Sequence, residues 1–161
     1  MATLTVWKFD TAEGAQAALD KLIDLSKQQL IQVQDAAVVS WPSGAKKPKT
    51  HNYGSMTGRG ALSGAFWGML FGLIFFVPFF GLAVGAAIGA LSGKFADYGI
   101  DDNFIKEVRT QVTEGTSALF LLTSGAVTDR VAEAFKGSSG ELLRSNLSTE
   151  QEAQLREDFG G

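Results

Sequence analysis

Few residues in this chain are of types that do chemistry, and they are scattered. The single histidine, His51, lies in KKPKTHNY at 46–53, and the chain has no cysteine. General-base or nucleophilic catalysis needs partner groups within hydrogen-bond reach, and the residues around His51 offer no such set. Asp97, Asp101 and Asp102 form a local gathering of carboxylates, the ligand type that hard cations prefer. Helix capping accounts for Asp101 and Asp102 at less cost. Gly54, Gly58 and Gly60 precede an apolar run, but no Lys-Ser/Thr follows them as a phosphate-binding loop requires. Residues 44–59 carry four basic side chains, Lys46, Lys47, Lys49 and Arg59, and no acid. Such a cluster attracts anionic headgroups at about 1 kcal/mol per charge, or else blunts an exposed strand edge. No catalytic residue, metal site or cofactor is predicted, and the chain reads as non-enzymatic.

The element that must position these groups is the uncharged stretch between Arg59 and Lys94, GALSGAFWGMLFGLIFFVPFFGLAVGAAIGALSG. Gly60, Gly64, Gly68 and Gly72 fall four apart, as do Gly81, Gly85, Gly89 and Gly93. Residues four apart nearly superpose on a helix, so each set lines one side. Each glycine costs roughly 1 kcal/mol of helix propensity against alanine, which makes sense where backbones approach closely. Val77, Pro78, Phe79 and Phe80 lie between the sets and predict a turn. The first helix is apolar all round, with Leu62, Phe66, Trp67, Met69, Leu70, Phe71 and Leu73 away from its glycines, so it must be buried in protein or lipid. The second, lined by Ala83, Ala86, Ala87 and Ala90, is small on several sides and is expected at the centre of an oligomer. Each half is marginal against the roughly 20 residues of a membrane span. Insertion in a bilayer is the favoured expectation, and a hairpin buried in a water-soluble assembly is the alternative.

The 161 residues carry a net charge of −3. Residues 1–59 hold seven Lys/Arg and five Asp/Glu, whereas residues 94–161 hold seven and twelve. That acidic balance speaks against nucleic acid. The start, MATLTVWKFD, lacks a basic segment followed by an apolar run, so no signal peptide is expected.

Around the hairpin, Thr3–Phe9 alternates as a strand. Asp10 and Glu13 have capping-box spacing ahead of a helix through about Gln28. Strands are predicted at Asp35–Trp41 and, at an edge because of Pro48, at Lys46–Tyr53. Asp101 opens a helix with Phe104, Ile105, Val108 and Val112 on one face, stopped by Gly115. Ser117–Thr123 is a fully apolar strand expected at the centre of a sheet, and a short helix begins at Thr128. Glu141–Leu147 reads as a further strand, and Ser148 with Gln151 as a capping box for a last helix. The fold class is α+β. The first six soluble elements fit a ferredoxin-like βαββαβ plan, with the glycine-zipper hairpin inserted and an αβα extension at the C-terminus. The divisions expected are 1–54 and 98–161 for the two parts of the α/β domain and 55–97 for the hairpin.

The segments GALSGAFWGMLFGLIFF at 60–76, GLAVGAAIGALSG at 81–93 and GIDDNFIKEV at 99–108 resemble a bacterial family, domain-of-unknown-function family 1269. SALFLL at 117–122, DAAVVSW at 35–41 and LSTEQEAQL at 147–155 fit it as well. Members are labelled predicted membrane proteins. The resemblance implies a membrane setting and brings no assigned activity. The expectation is therefore a homo-oligomeric, membrane-associated protein whose α/β part stays on the cytoplasmic side and whose hairpin drives assembly. A soluble cage or ring, with the hairpins as a shared apolar core holding lipid, is the alternative. A pore or transporter is the third reading, weakened because ion pathways usually carry a charged residue within the membrane.

Overall fold

The computed structural model describes residues 2–28, 33, 35–46, 48–54, 64–76, 93–135 and 140–159. The five strands are β1 (Ala2–Phe9), β2 (Asp35–Ser40), β3 (Lys49–Gly54), β4 (Ser117–Ser124) and β5 (Gly140–Leu147). They form one antiparallel sheet in the order β3-β2-β4-β1-β5. The helices are α1 (Gly14–Lys27), α2 (Gly64–Phe71), α3 (Asp102–Gln111), α4 (Gly125–Ala134) and α5 (Thr149–Phe159). A π-helical continuation of α2 covers Gly72–Phe76, and a helical turn covers 93–97.

Apolar SALFLLT lies in the middle of the sheet, as its composition predicts, and Pro48 immediately precedes the edge strand β3. The order corrects the six-element plan in one respect. That plan sets β3 between β1 and β2 and places β4 outside β1. The register instead seats β4 between them, with Leu119 opposite both Trp7 and Val38. The physical reason is burial. A strand covered on both faces reads as a continuous apolar run, and β4 fits that description where the lysine-bearing β3 does not. The C-terminal extension is also part of the sheet, because β5 pairs with β1 along Ala2–Lys8.

Strand alternation splits the interior into two layers. On one face Trp7, Phe9, Val38, Leu119 and Leu121 meet Ala15, Leu19 and Leu22 of α1 and Val131 of α4. Phe135 stands edge-on to Trp7 and Phe9, with ring centroids 5.4 and 5.8 Å away. On the other face Leu4, Val6, Ala37, Val39, Phe120 and Leu122 meet α2, the 93–97 turn, α3 and Leu155 of α5. Local signals account for the starts of α3 and α5. Asp101 accepts from the Phe104 amide at 2.9 Å. Ser148 and Gln151 make the reciprocal pair of a capping box, at 2.8 and 3.1 Å. The Asp10–Glu13 box does not cap α1, which begins at Gly14. Ser117 of β4 takes that role from across the fold. Its Oγ accepts from the Ala15 amide at 2.9 Å and donates to the Thr11 carbonyl at 2.6 Å.

Candidate functional site

α2 is the feature that the rest of the architecture does not explain. Phe66, Trp67, Leu70, Phe71, Leu73, Ile74 and Phe75 are all buried in the same layer as Leu4, Val6 and Phe120. Trp67 stacks on Phe71 at 5.8 Å, and both rings stand edge-on to Phe120, at 6.4 and 5.0 Å. Fully burying one large apolar side chain is worth about 1.5–3 kcal/mol. Seven of them together match the entire net stability of a typical domain, about 5–15 kcal/mol. The helical segment that holds them is therefore part of this protein's own core. Its phenylalanines and Trp67 are packing groups. Among the described residues, no helix is long and apolar enough to cross a membrane.

The opposite side of α2 is bare. Gly68 is exposed and Gly72 half-buried, and a Cβ added to either would meet nothing within 4 Å. Met69, 41% exposed, is the one large apolar side chain so exposed among the described residues. The Trp67 indole N–H is buried with no hydrogen-bond partner among the described residues.

The C-terminal end of this limb is held by Arg109 of α3. Its Nε donates to the Ile74 carbonyl at 2.8 Å and its Nη2 to the Leu73 carbonyl at 2.5 Å. Sequence supplies the reason. Four residues beyond Ile74 and five beyond Leu73 stands Pro78, which has no N–H to donate. A cation at a helix C-terminus also matches the dipole. Phe75 then packs edge-on to Trp41 at 6.3 Å. Trp41 Nε1 in turn donates to the Ala45 carbonyl at 3.0 Å, next to exposed Lys46.

Residues 93–98 are tied to α2 and to α5. Phe95 lies 5.7 Å from Phe66, ring to ring. Buried Tyr98 donates its hydroxyl to Asp158 of α5, which also accepts from Gln154 at 3.1 Å and lies 4.0 Å from Lys94. Burial, and then the Asp158 contact, push the Tyr98 phenol well above its ordinary pKa. The Tyr98 and Gln154 hydrogen bonds hold the Asp158 carboxyl below its own. Gly99 follows with φ +94, a left-handed conformation that glycine adopts without strain.

The predicted site residues separate under this geometry. His51 is exposed on the edge strand β3, opposite Val38. Asp101 is a helix cap, with exposed Asp97 and Asp102 close to it in sequence. No group of three metal-ligating side chains occurs among the described residues. Lys46 and Lys49 are exposed, and Gly93 begins the helical turn with open space around it. Gly64 opens α2. Gly60, Gly81, Gly85, Gly89, Val77, Pro78, Phe79, Phe80, Lys47 and Arg59 lie outside the described residues. Sequence reasoning missed Arg109 and the Tyr98–Asp158 pair. A signal for Arg109 existed, in the donor that Pro78 lacks.

These features define a class: an α+β protein with a five-stranded antiparallel sheet, one face of which carries an uncharged, glycine-spaced helical limb. Residues 61–160 match the family described as protein of unknown function (DUF1269), and the chain belongs to that family. The match opens within the uncharged glycine-spaced stretch and takes in β4 and β5, while β1, β2 and β3 precede it. No curated protein and no solved structure matches the chain.

Proposed function

We propose that this is a non-enzymatic, self-associating protein that uses its glycine-spaced hairpin as a helix-packing surface, with a second copy of the chain as its partner. One observation carries the reading. α2 turns its large side chains into its own core and leaves outward a strip with Gly68, Met69 and Gly72. Nothing inside the described fold needs glycine at 68 or 72, since a Cβ fits at both. Glycine costs about 1 kcal/mol at each helical position, so a close-packing neighbour outside that core accounts for it. Residues 81–92, GLAVGAAIGALS, are uncharged as well, and the sheet is already covered on both faces. Surplus apolar surface of this kind marks interaction sites.

The sheet is best described as a ferredoxin-like split βαβ in which β4, not β3, serves as the third strand and β3 is added at the edge. The assembly is then a ring or cage of such domains sharing their hairpins. Size analysis of Gly85→Leu and Gly89→Leu tests it. Overpacking a close interface costs about 1–3 kcal/mol per site, repeated in every subunit, so both variants should disperse the oligomer. A parent protein that runs as a monomer at all concentrations overturns the reading.

A second reading, association with a bilayer surface, has its own observation. Phe75 packs on Trp41, whose loop continues into exposed Lys46 and Lys49. Phe75, which precedes VPFF at 77–80 in the sequence, therefore packs against a loop that carries basic side chains. The α/β part would remain on the cytoplasmic side. Binding of the Lys46→Gln/Lys49→Gln protein to anionic vesicles should fall, and binding to neutral ones should hold. Equal binding of parent and variant to both removes this reading.

A further inference from the structure

We propose that Arg109 and Lys46, linked through the Trp41–Phe75 ring contact, bind a phosphate group. This rests on the bilayer reading above and names its ligand, the exposed phosphate of an anionic headgroup. Free phosphate is the other source of the same chemistry.

Arg109 is half-buried on α3. Its Nε and Nη2 donate to the Ile74 and Leu73 carbonyls, and a guanidinium has further N–H groups beyond those bonds. Among the described residues no carboxylate pairs with it. Its neighbours one turn away in the chain are Ile105, Lys106, Val112 and Thr113, none of them acidic. The carbonyl end of a helix supplies about half an elementary charge of compensation. Roughly half of the guanidinium's charge is then left for an anion. Lys46 is exposed and likewise has no carboxylate partner among the described residues.

Two routes tie the loop of Lys46 to the segments that hold Arg109. Phe75 follows Ile74 and stands edge-on to Trp41 at 6.3 Å, and Trp41 Nε1 donates to the carbonyl of Ala45, which precedes Lys46. The turn after α3 is the second route. Gly115 donates its amide to the Trp41 carbonyl at 2.6 Å, and Trp41 donates its own to the Thr116 carbonyl at 2.9 Å. Trp41 is half-buried, and an indole with one side packed and one side open suits the level of lipid headgroups. Glu114 on that turn opposes an anion, but its carboxylate already accepts from the Gly44 amide. Lys49 stands apart from the site. It lies opposite Ser40, whose hydroxyl donates to the Ala12 carbonyl ahead of α1, and opposite residues share a face of the sheet. The planar fork of an arginine matches phosphate. A phosphate also presents more acceptor oxygens than a carboxylate, enough for the fork and the Lys46 ammonium together.

The test uses the full-length protein and phosphatidylcholine vesicles that carry either phosphatidic acid or oleate, matched in surface charge. The parent should bind the phosphatidic acid vesicles severalfold more tightly than the oleate ones. Lys46→Gln should weaken that binding about fivefold, the worth of one cation at a headgroup. Arg109→Lys keeps the charge and loses the fork, so it should erase the preference for phosphate over carboxylate. Glu114→Gln, which can still accept from the Gly44 amide, should tighten binding, and Lys49→Gln should leave it nearly unchanged. If Arg109→Lys fails to fold, the other three variants decide. Equal binding to both vesicles, with Lys49→Gln acting as strongly as Lys46→Gln, overturns the site and leaves the bilayer reading standing. Inorganic phosphate is titrated separately against chloride at matched ionic strength. If it raises the melting midpoint of the parent and not that of Lys46→Gln, while neither vesicle binds, the ligand is free phosphate, and the bilayer reading falls while the site stands. No binding to either vesicle and no shift with phosphate overturn both.

Discussion

α1 and α2 cover opposite faces of one sheet, and they finish those faces differently. α1 puts Ala15, Leu19 and Leu22 inward and shows water Asp20, Lys21, Asp24 and Lys27. α2 and its π-helical continuation put seven large side chains inward and show Gly68 and Met69. An amphipathic helix ends its layer at solvent. α1 therefore ends its layer in charged groups, whereas α2 ends in Gly68 and Met69, with no polar group on its outer side among the described residues. The difference also reassigns the apolar stretch. Half of what reads as a membrane hairpin is spent on this protein's own core.

The strongest way to break the comparison is to remove one face. The family match begins at residue 61, but β4 and β5 both pair with β1 and not with each other. A chain of residues 61–161 keeps α2 and loses Leu4, Val6, Ala37 and Val39 beneath it. It should show no cooperative thermal transition and little near-ultraviolet circular dichroism. Cooperative melting of that piece would mean that the α2 layer stands without the sheet drawn here.

Matched truncations come next. Phe71→Ala and Leu22→Ala empty one large site on each face, and both residues are buried. Core truncations of these kinds cost about 3–5 and 2–5 kcal/mol. Comparable falls in denaturation midpoint are expected. A negligible effect of Phe71→Ala would show that α2 sits on the sheet loosely.

Much of this fold was legible in the sequence, and what was not has identifiable causes. The apolar run in β4, Pro48 before the edge strand, and the Asp101 and Ser148 caps are local signals, and each sits where local chemistry predicts. The α1 start was misread because its cap, Ser117, comes from more than 100 residues away. Chain order suggests β3 as the strand between β2 and β1, while burial puts β4 there and β3 on the outer side of β2. Apolarity all round α2 demands burial, which its large inward side chains have and Gly68 and Met69, expected on opposite sides, do not, and it does not distinguish lipid from the protein's own sheet. Hydropathy carries no label for the partner. The glycine spacing was visible, but which side it faced depended on where Phe66, Trp67 and Phe71 pointed.

Arg109 sharpens the comparison at a smaller scale, since among the described residues it ties α2 rather than α1. Hydrogen bonds from a charged donor are worth about 1.5–3 kcal/mol each. Arg109→Ala should lower stability by about that much in total, because water reaches the vacated carbonyls in part. Arg109→Lys, with no fork to span two carbonyls, should recover only a fraction. Equal stability of all three proteins would mean that the contact is incidental.

The smallest effect expected is at the return limb, where the Tyr98–Asp158 pair makes the α2 face sensitive to pH. The folded protein holds the Tyr98 phenol above its ordinary 10.0, with burial as the larger cause and Asp158 as the next. As pH rises past 10.0, the unfolded chain ionises this tyrosine while the folded chain resists, so stability falls. Asp158 is held below its ordinary 3.8, chiefly by Tyr98. As pH drops below 3.8, the unfolded chain takes up a proton that the folded chain resists, and stability falls there too. Tyr98→Phe should flatten both limbs of a stability–pH curve. Asp158→Asn should remove the acid limb and keep part of the alkaline one, because burial of the phenol survives the substitution. If Asp158→Asn abolishes the alkaline limb entirely, the hydrogen bond and not burial governs Tyr98. If neither variant changes either limb, the C-terminal helix does not fasten the segment around Tyr98.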